Sequence, residues 1–502
     1  MKFCKNFCIL MAVVLAVCIL FTGCGKNQGQ SAASEPEPTA EIHTEESLTA
    51  VMTAEELKDL DSSYPNLKTL DLSGSECYDA ILEYIASHPS VNVTYTVSIS
   101  GGTEPLLIGN TADLVTISDP SYLEALAAKA VYLPALKTID LGNTDVSMDQ
   151  IQALQDAFPQ AAVNYTVGLL GQTISADTTF LDLSALSPAQ VSDAAAALAK
   201  LPMLESVRLT NADGTSALSV SDVAKLAQAC PGAAFDYNFE LFGQQVSASA
   251  ESLEYVDTYI GNEGVEQIRE VLPCMTRLSY LKLDKCSIDN EVMAQLRDDF
   301  PNIKVVWRVY FSGDGYNCLT DTEKIWATGT VTDGFTEPLK YCTDVKYLDL
   351  GHNCITHIDF VNYMPKLQVA IFAISWVEDI SPLANCPDLE YLEIFSSRVS
   401  DVSPLASCTN LQHLNMGNLK KVDDITPLYG LTNLKRLYCT MSYIPEDQQA
   451  KIQELIPDCE FQFGWLDPAD KGPWRYDENG ERVERYELLA QQMGYDTFDY
   501  SR

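Results

Sequence analysis

The chain has 502 residues, 70 of them acidic and 32 basic, for a formal net charge of −38. No run of lysine and arginine is interleaved with aromatics, which argues against nucleic acid and against anionic membrane surfaces as partners. The acids are scattered along the chain. They read first as a soluble, self-repelling surface, and only second as an attraction for calcium or a cationic partner.

In chain order, the first element is a short basic start (Lys2, Lys5) followed by an apolar run from Phe7 to Phe21. That run is short for a spanning helix and suits an export signal. Leu20-Phe21-Thr22-Gly23-Cys24 then resembles a bacterial lipobox, with Phe21 standing where that motif prefers Leu, Val or Ile. The resemblance implies cleavage before a lipidated Cys24, with residues 1–23 as signal peptide. It places the chain on the outer side of the cytoplasmic membrane of a Gram-positive-type bacterium. An ordinary signal peptide or an uncleaved anchor is the alternative. Two acyl chains would hold where one does not. Residues 24–50, rich in Ser, Glu, Pro and Gln, are expected to form a disordered tether.

From residue 51 to 318 the chain repeats itself. Pro89, Pro159, Pro231 and Pro301 lie 70, 72 and 70 residues apart. An aromatic follows each by six residues (Tyr95, Tyr165, Tyr237, Trp307), and a glycine by twelve (Gly101, Gly171, Gly243, Gly313). Upstream of each proline stands an LxxLxL segment, beginning at Leu67, Leu136, Leu204 and Leu278, and then a helical stretch with apolar residues at three and four, such as Ile151, Leu154 and Phe158. The proline–aromatic–glycine segment reads as the next strand, and a third, weaker one (DLVTIS, FLDLSA, LEYVDT) precedes the next unit. Three strands in such a unit give about 23 residues per strand, the period of leucine-rich repeats. The expectation is therefore an α/β solenoid, with parallel strands on the concave face, helices or turns on the convex face, and caps at both ends.

Between 319 and 463 the period shortens. Segments starting at Asp344, Leu367, Leu389, Leu411 and Leu434 follow one another at 22 to 23 residues. LEYLEI from Leu389, LQHLNM from Leu411, and the motifs at Asp379–Leu383, Asp401–Leu405 and Asp424–Leu428 resemble internalin-type leucine-rich repeats. The asparagine ladder of that family departs here: Asn353 fits it, Ser375 and Ser397 replace it, and one inserted residue shifts the register near Asn418. IPDCEFQFGW, with Pro457 and Phe463, is a partial fifth copy of the earlier signature.

Residues 54–65 read as an N-terminal cap, and 445–457 give the last open core a helix. Of the eleven cysteines beyond Cys24, Cys342, Cys386 and Cys408 occupy the place that Leu431 takes in the next repeat, which marks buried thiols rather than a disulfide scaffold. In 464–502, Tyr476 to Val483 reads as a hairpin around Asn479-Gly480 and Glu484 to Met493 as a helix. This extension is taken as a C-terminal cap; the alternative is a separate binding element using Trp465, Trp474 and Tyr476.

Chemistry is sparse. His352, Cys354 and His357 could hold a metal, but Ile355 and Ile358 are the inward residues there and no second cluster lies near. Ser312 to Gly315 is like a calcium loop only superficially, and no phosphate loop or nucleophile elbow is found. No cofactor is expected. In LxxLxLx the third, fifth and seventh residues leave the core side of the strand. Tyr347, Asp349, Ile371, Tyr391, Glu393, Phe395, His413, Asn415, Arg436 and Tyr438 would then form a solvent-facing strip of aromatics and charges. Internalin-type proteins bind partners through that face. The resemblance therefore implies a non-enzymatic, lipid-anchored protein binder at the cell surface, with Tyr391, Phe395, Tyr438, Tyr347 and Ile371 at the centre. A bland reading, that aromatics tolerate strand surfaces, stands beside it. A glycan- or solute-binding lipoprotein is the alternative, since exposed aromatics stack on sugars; an envelope hydrolase comes last.

Overall fold

The computed structural model describes residues 42–313, 315–465 and 472–497. The expected signal peptide, Cys24 and most of the tether therefore lie outside the described residues. The chain divides into two compact units. The first comprises the residues up to Val115 together with Ser121–Thr138 and Ala153–Ala161, and the second comprises the remainder.

In the first unit, strands Ser47–Thr49, Thr69–Asp71 and Asn92–Thr94 run parallel, with Leu48, Leu70 and Val93 in register. The end of the expected tether is thus part of a sheet. Helix Ala54–Lys58 begins at Thr53, whose side chain and that of Glu56 satisfy each other's backbone N–H in a capping box. Helix Tyr78–Ser87 returns the chain between the second and third strands and buries Tyr78, Ile81 and Tyr84. After Tyr95 the chain enters an antiparallel hairpin, Thr96–Ile99 with Leu106–Gly109.

The second unit repeats this design and shows what the proline–aromatic–glycine signature encodes. Strands Phe180–Asp182, Ser206–Arg208 and Ala234–Asp236 are parallel. The chain then turns at Tyr237 into the antiparallel pair Asn238–Leu241 and Gln244–Ser247. The aromatic is the corner post. Tyr95, Tyr165 and Tyr237 are buried, and their hydroxyls donate to the carbonyls of Tyr132, Lys200 and Leu218 at 2.8, 2.8 and 3.0 Å. In two copies the glycine is the second residue of a two-residue turn with both φ values positive: Leu170 at 52° with Gly171 at 78°, and Phe242 at 50° with Gly243 at 79°. That is the twist a tight hairpin requires, and glycine adopts it without strain. A single strand was expected between proline and glycine; the structure instead ends the parallel sheet at the aromatic and adds a hairpin. The fourth copy keeps Lys304–Tyr310 as one long strand before its own antiparallel partner, Asn317–Leu319.

From Lys324 no hairpin intervenes. Seven strands (Lys324–Trp326, Tyr347–Asp349, Val369–Ile371, Tyr391–Glu393, His413–Asn415, Arg436–Tyr438 and Glu460–Gln462) form one parallel ribbon in sequence order. Leu348, Ala370, Leu392, Leu414 and Leu437 lie in register along its inner face, all fully buried. The return segments are short 3-10 turns such as Ser381–Asn385, Ser403–Ser407 and Thr426–Gly430, each with proline in its first turn. The aspartate three residues before that proline accepts the N–H of the Ser or Thr two residues on: Asp379 from Ser381 at 2.7 Å, and Asp401 from Ser403 and Asp424 from Thr426 at 2.8 Å. This explains the Asp-x-Ser/Thr-Pro-Leu motif as a capped turn. Helix Glu446–Leu455 closes the last repeat. The architecture is that of a leucine-rich-repeat solenoid, in the mixed α/β class.

Two details follow from the stacking. Cys342, Cys386, Cys408 and Leu431 are all buried, as one apolar column requires. Asn353 accepts from Val331 N at 2.9 Å and donates to Ala327 O and Leu350 O at 2.7 and 2.9 Å. Ser375 reaches only Phe372 O, at 2.6 Å, and Val377 N at 3.5 Å, while Ser397 Oγ is buried without a partner. Serine is too short to span neighbouring turns as asparagine does.

Candidate binding site on the ribbon face

The strip expected to face solvent does not. Ile371, Tyr391, Phe395 and Tyr438 are buried, as are Asp349, Glu393, His413 and Asn415; Tyr347 and Arg436 are partly buried. The alternation placed these side chains on the face opposite the core, as the strand period demands. What it could not show is that residues 472–497 lie across that face. The extension is neither a cap on the last repeat nor a free-standing element. It forms a second apolar core with the ribbon, in which Val369, Ile371, Ala373, Tyr391, Phe395 and Tyr438 meet Trp474, Tyr486, Leu489 and Met493.

The local structure of this segment was legible. Tyr476 and Arg482 bridge antiparallel around Gly480, whose φ is 80°. The helix spans Glu484–Met493 and ends at Gly494 in the left-handed region. Tyr486, Leu489, Ala490 and Met493, at helical spacing, form its buried face.

Trp474 is the centre of the contact, at 1 % exposure. Its ring packs edge-on to Tyr438 at 4.9 Å and lies against Tyr391 at 5.6 Å and His413 at 6.4 Å. Arg436 closes the other side, its guanidinium 4.6 Å from the Trp474 ring while it donates to the carbonyls of Pro473 and Trp474 at 2.8 and 3.0 Å. The Trp474 indole N–H donates to Glu393 at 2.8 Å and to the Tyr391 hydroxyl at 2.9 Å.

Glu393 is the electrostatic anchor. Fully buried, it accepts from the Tyr391 hydroxyl, from Trp474, and from Arg475 at 2.8 Å. A buried carboxylate needs such partners, because its desolvation is otherwise too costly. Burial works against the charge on Arg475, but the Glu393 carboxylate outweighs it and holds the guanidinium more firmly protonated than usual. Burial and the neighbouring Glu393 push the Tyr391 phenol well above its ordinary range. Arg485 packs over the Tyr391 ring at 4.5 Å, and burial draws its pKa down.

At the far end of the contact, the Tyr495 hydroxyl donates to Asp349 at 2.6 Å, and its ring stands edge-on to Trp326 at 4.7 Å. Burial raises the Asp349 pKa, against the hydrogen bonds from Tyr495 and the Gly351 N–H. The fit is incomplete. A cavity of about 540 Å³ remains between ribbon and segment, bordered by Asp349, His352, Arg475, Arg482, Tyr495 and Asp496. His413 Nδ1 and Thr440 Oγ1 are buried without hydrogen-bond partners. Burial, aided by Arg485, Arg436 and Lys435, pulls the His413 pKa down to about 3.

The residues that sequence reasoning missed are Arg475, Arg485, Tyr486 and Tyr495. Trp474 was singled out, but for an independent element. The available signal was compositional, a short stretch dense in aromatics and arginine with a helix of its own.

His352 and His357 are both exposed, while Ile355 and Ile358 point inward. Among the described residues no cluster of three His, Cys, Asp or Glu is arranged to hold a metal ion. Also among them, no helix is long and apolar enough to cross a membrane.

No protein-family model matches the chain, and no curated protein does. Solved structures that it resembles include an internalin C2 of Listeria monocytogenes, 19% identical over 49% of this chain and 92% of that one, with a TM-score of 0.27. A second is an internalin (inlF) of the same organism, 16% identical over 83% and 85%, TM-score 0.24. A third is a leucine-rich-repeat protein of Leptospira interrogans, 14% identical over 83% of this chain and 100% of that one, TM-score 0.27. These superpositions are poor, and the assignment of the fold rests on the chain's own strand register.

Proposed function

We propose that this is a lipid-anchored surface protein whose leucine-rich solenoid binds a protein partner through the concave face of the seven-stranded ribbon, and that it is not an enzyme. The carrying observation is that this face already holds a polypeptide segment, by means of an aromatic pocket, a buried carboxylate and a row of tyrosines. Large aromatic anchors beside a satisfied charge pair are what polypeptide recognition uses. The sugar-stacking alternative rested on exposed rings, and Tyr391 and Tyr438 are covered. The lipobox resemblance at Leu20–Cys24 supports anchoring outside the membrane, and the acidic surface supports a partner with basic groups.

Two measurements test this reading. Cys24→Ser should move the protein from the membrane fraction to the soluble fraction. Cross-linking on intact cells should join the wild-type chain to a discrete protein, with yield reduced in Glu393→Gln. Cross-links to lipid or glycan alone, or equal yield from both chains, would reject the binding face.

A further inference from the structure

The contact between ribbon and segment has the features of a ligand in its site rather than of a layer in a core. The inward residues Leu348, Ala370, Leu392, Leu414 and Leu437 complete the ribbon's own core on the opposite face. The segment contributes only to the second core, on the outward face. Every cysteine among the described residues is a free thiol, so no disulfide holds the segment down. Its recognition is concentrated in three anchors: Trp474 in the aromatic pocket, Arg475 on Glu393, and Tyr495 on Asp349. The ion pair across the contact is Arg475 with Glu393 at 2.8 Å, while Arg482 pairs within the segment with Glu487 and Asp496, and Glu460 pairs with Arg436 on the ribbon. A cleft of about 540 Å³ lies beside the Tyr495 end of the contact, bordered by both ribbon and segment.

Resting on the binding reading above, we infer that residues 472–497 are a tethered stand-in for the partner: the concave face accepts an external polypeptide that presents an aromatic residue directly followed by arginine, backed by a short amphipathic helix, and this polypeptide enters by displacing the segment. A tethered competitor acts at an effective concentration of roughly millimolar, so it holds the site closed against weak ligands and yields to a better-matched one. The partner's chemistry follows from the pocket. Glu393, fully buried and already bonded to Tyr391, demands a cation, and the rings of Tyr391, Tyr438 and His413 demand a flat apolar group beside it.

The test keeps the whole chain. A specific protease site placed within residues 466–471 allows the folded protein to be cut, leaving the segment bound only by its contacts. A fluorescent synthetic peptide of residues 472–497 is then added. The expected result is saturable binding to the cut protein, with affinity for the uncut protein lower by about a hundredfold through tethered competition. Peptides carrying Trp474→Ala or Arg475→Ala should bind roughly thirtyfold more weakly or worse, the hot-spot scale. Two outcomes overturn the inference. One is a cut protein that keeps its fold yet never exchanges the segment; the other is a ribbon that unfolds when the segment leaves, read by circular dichroism on the same sample. The cross-linking measurement remains separate: a segment that exchanges while no protein is cross-linked fails the binding reading alone, and a Glu393-dependent cross-link beside a segment that never exchanges fails this inference alone, the partner then docking over the covered face. An uncut Glu393→Gln chain provides a second reading: faster hydrogen exchange confined to Glu484–Met493 supports displacement, and unchanged exchange there opposes it.

Discussion

The early repeats and the ribbon are built from the same strand pattern and treat its outward face in opposite ways. In Phe180–Asp182, Ser206–Arg208 and Ala234–Asp236 only the middle residue is buried. In Val369–Ile371, Tyr391–Glu393 and His413–Asn415 all three are. The early strands carry Asp182, Arg208 and Asp236 outward, where Arg208 reaches Asp182 at 3.4 Å in solvent. The ribbon carries tyrosines and a glutamate outward, and the chain supplies Trp474 and Arg475 to cover them. The difference teaches that alternation assigns a side chain to a face but not to water. A large aromatic on the outward face is a request for a partner, whether internal or external.

That contrast can be broken most forcefully at Glu393. Glu393→Ala removes the buried carboxylate that holds Arg475 and the Trp474 indole, and should weaken docking of residues 472–497 by about 3–5 kcal/mol. Hydrogen exchange should then show helix Glu484–Met493 unprotected while Leu392 and Leu414 stay protected. Loss of protection throughout the ribbon would mean that the two faces form one cooperative core.

Acid should come next. His413, ordinarily near 6.5, is held at about 3 when docked, so the released state binds a proton that the docked state refuses. Docking stability from this group is therefore complete above about 6.5 and is lost as pH falls toward 3. Asp349 acts in the opposite direction, because its raised pKa favours protonation in the docked state. Protection of the terminal helix, taken relative to the intrinsic exchange rate at each pH, should fall from pH 7 to pH 4.5, and His413→Gln should blunt or reverse the trend. An unaltered profile in that variant would assign the acid response to another group.

In the early repeats the corresponding weak point is the corner tyrosine. Tyr237→Phe removes the bond to Leu218 O and should cost about 1–2 kcal/mol in denaturant unfolding, with no effect on the terminal helix. The smallest effect is expected at Arg208→Ala, whose exposed pairing with Asp182 contributes about 0–1 kcal/mol. A cost there as large as at Glu393 would contradict the distinction between open and covered faces.

Much of the fold was legible because repeat spacing is a local signal. Leu389, Leu411 and Leu434 predicted the ribbon, and the register of Tyr391, His413 and Arg436 bears it out. The hairpins after Tyr165 and Tyr237 were not anticipated, although Gly171 and Gly243 marked them. A lone glycine at the end of an apolar run does not say whether the chain turns back or moves on. Of the candidate site, the identity of the face was recovered and its exposure was not.

The amino-acid sequence by itself determined which residues form the strands of the ribbon, which side of each strand they occupy, and where the terminal helix begins and ends, because these depend on neighbours within a few residues. Only the tertiary structure decided that Trp474 reaches Glu393 and Tyr391, some eighty positions earlier. Such a contact leaves no periodic trace in either partner. It depends on the shape and charge of two surfaces that meet only after each has folded.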